Sequence, residues 1–131
     1  MSNKVNRQML LTLLVGTLLL VPSFGAFAHA QYERSDPGRR SIVTRPPEVI
    51  KIWFSEQLEP AYSTILVKDS EGGSVTEEAA TLDPEDRKLL ILKLPVLMPG
   101  KYTVFYKVLS VDGHIVDAKF KFKVKQPKQI P

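Results

Sequence analysis

The 131-residue chain contains no cysteine. No disulfide can staple it, and no thiolate is available to a metal. Histidine is almost as scarce, with only His29 and His114. Methionine is limited to Met1, Met9 and Met98, and tryptophan to Trp53. Long apolar runs are missing except for Met9 to Val21. That run falls short of the roughly 20 residues a membrane-spanning helix requires. Any site chemistry must therefore use nitrogen and oxygen donors, and the core must hold without covalent help.

The amino-terminal segment has the layout of an export signal. Lys4 and Arg7 supply a positive beginning, Met9 to Val21 the apolar centre, and Ala26 and Ala28 the small residues of a cleavage site. We expect residues 1–28 to be a cleaved signal peptide, 29–125 a single domain, and 126–131 a flexible tail. Cleavage after Ala28 makes His29 the first residue of the mature protein. Ala28-His29-Ala30 satisfies the same small-x-small rule, and cleavage after Ala30 would expose Gln31 instead. The expected location is periplasmic or extracellular.

Removing residues 1–28 from the 131 leaves 103, enough for one domain and its core. Of the 18 basic residues only Lys4 and Arg7 leave, so 16 remain against 14 acids. A balance this small argues against a nucleic-acid partner.

After the leader the pattern is that of strands. In Val49 to Ser55, Ile50, Ile52 and Phe54 share one face while Lys51, Trp53 and Ser55 share the other. Thr64 to Lys68 and Leu89 to Leu94 are further runs, separated by the turn residues Asp69-Ser70-Glu71-Gly72-Gly73 and others. Pro99-Gly100 leads into Lys101 to Leu109, where Tyr102, Val104, Tyr106 and Val108 alternate. Phe120, Phe122 and Val124 alternate with Lys119, Lys121, Lys123 and Lys125 in the last strand. Those lysines read as a solvated face that discourages edge-to-edge pairing. Trp53 and the tyrosines read as packing residues. Glu77 to Lys88 has room for a single helical turn, interrupted by Pro84. We expect an all-β, immunoglobulin-like sandwich of about seven strands, without the Cys…Trp…Cys signature of antibody domains.

The two histidines occupy unusual places. An amino-terminal His29 would offer a metal its α-amine and its imidazole together. His114 ends Asp112-Gly113-His114, between two alternating segments. Taken alone, Asp-Gly is a common hairpin turn and His114 the polar residue after it. Taken together, the two histidines and Asp112 offer three nitrogens and one oxygen. In a plane, that donor set suits Cu(II).

The same residues resemble the CopC-type periplasmic copper-binding proteins. The resemblance runs from His29-Ala30 through Ser35, Pro37 and Pro47 to Phe54-Ser55-Glu56. It continues with Pro99-Gly100-Lys101-Tyr102-Thr103-Val104, Ser110-Val111-Asp112-Gly113-His114 and Phe120 to Val124. It implies a Greek-key β-sandwich holding one Cu(II) through the amine and imidazole of His29, a carboxylate oxygen of Asp112 and the imidazole of His114. Glu56 matches a position that approaches the metal in some members, and reads equally as a surface acid at a strand end. Ile115 stands where the family usually has proline, and Tyr106 where tryptophan is common. Some relatives carry a second, Cu(I) site rich in methionine. Once the leader is gone only Met98 remains here, so no such site is expected.

The expected role is a non-catalytic carrier, sequestering copper or handing it to a membrane copper transporter. Two rivals are a copper-dependent polysaccharide monooxygenase, which would need a flat substrate face and long loops, and a metal-free interaction module.

Overall fold

The computed structural model describes residues 29–128. The expected signal peptide and the end of the tail, 129–131, lie outside the described residues. Eight strands form two four-stranded sheets. In the first, β1 (Tyr32–Asp36), β3 (Val49–Phe54), β6 (Leu89–Lys93) and β5 (Thr81–Leu82) lie in the order β1-β3-β6-β5. In the second, β2 (Ile42–Val43), β8 (Ile115–Val124), β7 (Gly100–Leu109) and β4 (Thr64–Lys68) lie in the order β2-β8-β7-β4. All pairings are antiparallel except β2 with β8.

The alternation in the sequence sets which face is buried, because successive strand side chains point to opposite sides. Ile50, Ile52 and Phe54 of β3 are fully buried and face Val104, Tyr106, Val108, Phe120, Phe122 and Val124 from the second sheet. These residues form one continuous core. Burial at roughly 25 cal/mol per Å² of apolar surface is the main stabilising term in a domain with no disulfide.

The eight strands fit the expected sandwich of about seven; β2 and β5 are only two residues long and leave no periodic trace in the sequence. Three expectations need correction. Glu77 to Lys88 forms no helical turn. Asp83 accepts hydrogen bonds from the amides of Glu85 and Asp86, making a tight turn between β5 and β6. The single short 3₁₀ turn among the described residues lies elsewhere, at Pro60–Tyr62. There Tyr62 is 69% exposed and not a packing residue. Finally, β8 begins at Ile115, well before the alternating lysines, because pairing with β7 carries it to the turn.

Candidate metal centre

β7 and β8 stay in register up to the pair Leu109–Ile115, and residues 110–114 turn the chain between them. The amide of Ser110 donates to the carbonyl of His114 at 2.9 Å, and that of Gly113 to the carbonyl of Ser110 at 2.9 Å. Gly113 has φ +91°, a left-handed conformation that glycine adopts without a Cβ penalty. Ser110 is buried at the base of the turn, where it bridges to Leu58.

This turn organises its own polar groups. The Ser110 hydroxyl donates to Asp112 Oδ1, and Ser110 Oγ also accepts from the His114 amide at 3.3 Å. The other oxygen of Asp112 lies 3.0 Å from His114 Nδ1. The Ser110 hydrogen bond is the main reason the Asp112 carboxyl sits below its ordinary range. Contacts with His114 add to the effect, and partial desolvation opposes it. A carboxylate beside Nδ1 restricts the orientation of the ring.

His29 reaches the same pole from the opposite end of the described chain. The Ser55 amide donates to the Gln31 carbonyl at 2.9 Å, which continues the β1–β3 ladder past its last pair. The Ser55 hydroxyl accepts from the Gln31 amide at 2.9 Å and donates to the His29 carbonyl at 3.2 Å. Ala30 is fully buried in the core. Pinned in this way, the His29 ring meets that of His114 edge to face, with centroids 4.2 Å apart and planes at 80°.

The structure therefore brings His29, His114 and Asp112 to one pole. Glu56 is half-buried just beyond β3. Within those residues, no three histidine or acidic side chains converge as a preformed metal cage. Met98 precedes β7, whereas His114 follows it. Ten residues at about 3.4 Å each separate the two by roughly 30 Å.

Of the two departures noted in the sequence, Ile115 is 62% exposed at the start of β8. Tyr106 is buried among Phe54, Tyr32 and Phe120, and its hydroxyl accepts from Arg39 at 3.2 Å. The same guanidinium lies 3.5 Å above the Tyr32 ring. The sequence gives Arg39 no role, and Ala30, Ser55 and Ser110 enter only as members of quoted motifs. Ser110 was the detectable one, since a serine two residues before an aspartate in a turn is placed to bond it.

Residues 32–125 match the model of the CopC domain. The chain belongs to the CopC domain family. Protein YobA of Escherichia coli K12 is 34% identical over 110 residues, covering 83% of this chain and 87% of YobA. Copper resistance protein C of E. coli is 29% identical over 120 residues, covering 86% of this chain and 94% of that one. Among solved structures, CopC from Methylosinus trichosporium OB3b superposes with a TM-score of 0.73 at 35% identity, covering 79% of this chain and all of that one. The two-sheet architecture of this CopC domain is thus that of its solved relative.

Proposed function

We propose that this CopC domain is an exported copper carrier that binds one Cu(II) at the His29–His114 pole. The observation that carries the reading is the meeting of the chain's two histidines, from opposite ends of the domain, beside a carboxylate. Relatives named for copper resistance support the metal, and the absence of thiolates leaves a nitrogen and oxygen donor set of the kind Cu(II) favours.

In this reading, cleavage after Ala28 frees the His29 amine, which chelates together with its own imidazole. His114 adds a third nitrogen, oriented by Asp112, and the carboxylate supplies an oxygen. Glu56 is held in reserve as a fifth, weaker ligand. The burial of Ala30 supports cleavage at this bond, since cutting after Ala30 would discard a core residue as well as His29.

The ion is cargo. With its equatorial positions filled by protein, copper has no open place for a substrate, in contrast to catalytic metals. A membrane copper transporter is the proposed recipient. In the copper transport protein CutJ of Bacillus subtilis, a segment like this chain makes up 22% of the protein. Mass spectrometry of exported protein combined with a Cu(II) competition titration tests the proposal. A mature chain beginning at His29 and taking up one Cu(II) supports it. A chain beginning at Gln31, or one that takes up no Cu(II), contradicts it.

A further inference from the structure

The outer face of the second sheet is strongly basic. β8 presents Lys119, Lys121 and Lys123 there, and β7 presents Lys101 and Lys107, all exposed. The one acid that these two strands place on the face is Asp117, opposite Lys107. Lys101 lies directly opposite Lys123. Like charges in facing positions weaken a sheet, so stability alone does not account for this pair. Edge protection does not account for it either. β8 is an inner strand, and residues 40–43 cover its last part: the Arg40 amide donates to the Lys121 carbonyl at 2.7 Å, and Ile42 pairs with Lys123.

Two shallow depressions lie along β8. One of about 280 Å³ has Arg40, Lys101, Lys121 and Lys123 in its lining, and another of about 310 Å³ has Arg39, Arg40, Lys119 and Lys121. No acid lines either. Arg40 has φ +58°, a left-handed conformation that is costly for a residue with a side chain. Apolar groups are set among the bases. Ile42 is 65% exposed and Leu66 38%, and the Lys68 and Lys119 ammonium groups stand 5.4 and 5.6 Å from the Phe105 ring.

We propose that this face docks the protein on an anionic lipid bilayer. Lysine is depleted in protein–protein interfaces, which argues against a protein partner. Ammonium groups interspersed with exposed apolar side chains fit the headgroup layer of acidic lipids. The depression with Arg40, Lys101, Lys121 and Lys123 is lined to take headgroup phosphates. Docking in this way lays β7 and β8 along the bilayer, with the Ser110–His114 turn beside the lipid surface. The inference is independent of copper binding.

The test is sedimentation with vesicles of phosphatidylcholine mixed with phosphatidylglycerol, against vesicles of phosphatidylcholine alone. Wild type and variants are compared in the same chain form, so any lipid affinity of Met9 to Val21 is common to both. Wild type is expected to prefer the acidic vesicles and to lose that preference as salt rises. Lys121→Gln/Lys123→Gln should lower partitioning about 30-fold, at roughly fivefold per lysine. Lys51→Gln/Lys93→Gln, on the other sheet, removes the same charge and should change it by less than about twofold. Circular dichroism melts confirm folding of each variant. Equal partitioning to both vesicle types, equal losses from the two double variants, or equally tight binding to polyglutamate would overturn the proposal.

Discussion

The His29 imidazole stands edge to face against the His114 imidazole, with ring centroids 4.2 Å apart. The first is set at the pole by the Ser55 bonds that extend the β1–β3 ladder, the second by the β7–β8 turn. Each sheet thus delivers one histidine, and the sandwich itself is the device that pairs them.

Replacing His114 with alanine is expected to lower Cu(II) affinity by more than about 100-fold, since it removes a donor rather than a supporting group. The ring is about one-third exposed at a turn, so the fold should survive. Competition titration with circular dichroism as control checks both halves. Wild-type affinity in the variant would assign His114 to the turn alone.

Ser110→Ala separates orientation from ligation. The hydroxyl touches no proposed donor atom except the Asp112 carboxylate, which it holds in place. Its loss should weaken Cu(II) binding about 10- to 100-fold, the range for supporting groups of a metal site. The protein should also lose about 1 kcal/mol of stability. Asp112→Asn keeps the shape but exchanges a charged oxygen for a poor neutral donor, and should fall between Ser110→Ala and His114→Ala.

Much of the fold was legible in the sequence because strand periodicity is a local property. Ile50, Ile52 and Phe54, and likewise Phe120, Phe122 and Val124, alternate with polar residues and are buried as the alternation requires. β2 and β5 were not legible, since two residues carry no period, and backbone pairing alone defines them. At the pole, residue type singles out His29, Asp112 and His114 as candidates. Their mutual contacts depend on strand register and loop path, which no local pattern encodes. The lysines of β8 looked like edge protection because the sequence does not reveal that β2 covers part of that strand.

Met98 offers a negative control. It lies at the opposite pole, roughly 30 Å from His114 along β7. Met98→Ala should leave Cu(II) affinity unchanged, and wild type should bind Cu(I) only weakly, for want of a second thioether among the described residues. Competition with a Cu(I) chelator measures this. Tight Cu(I) binding that disappears in Met98→Ala would reveal a site the present account lacks.

Alkaline stability should be governed in part by Tyr102. Burial, with a smaller contribution from the Asp69 charge, raises its phenol above the ordinary value of about 10. A raised folded value means that the folded state retains its proton more strongly than the unfolded state. The resulting stability is fully present below the unfolded value and is lost as pH rises from there through the folded one. Tyr102→Phe should be less stable at neutral pH, lacking the 2.6 Å hydrogen bond, yet show a flatter decline above about pH 10. Chemical denaturation across that range reads both effects.

The central claim is that the amine and imidazole of His29 chelate one Cu(II) together with His114. Both nitrogen types bind only when unprotonated, so affinity should weaken in acid. The most direct measurement compares Cu(II) affinity and the paramagnetic-resonance spectrum of protein beginning at His29 with protein carrying one extra residue ahead of it. The account predicts one Cu(II), an axial spectrum with nitrogen coupling, and a sharp loss of affinity in the extended protein. Equal affinity and an unchanged spectrum in the extended protein would show that the terminal amine is not a ligand.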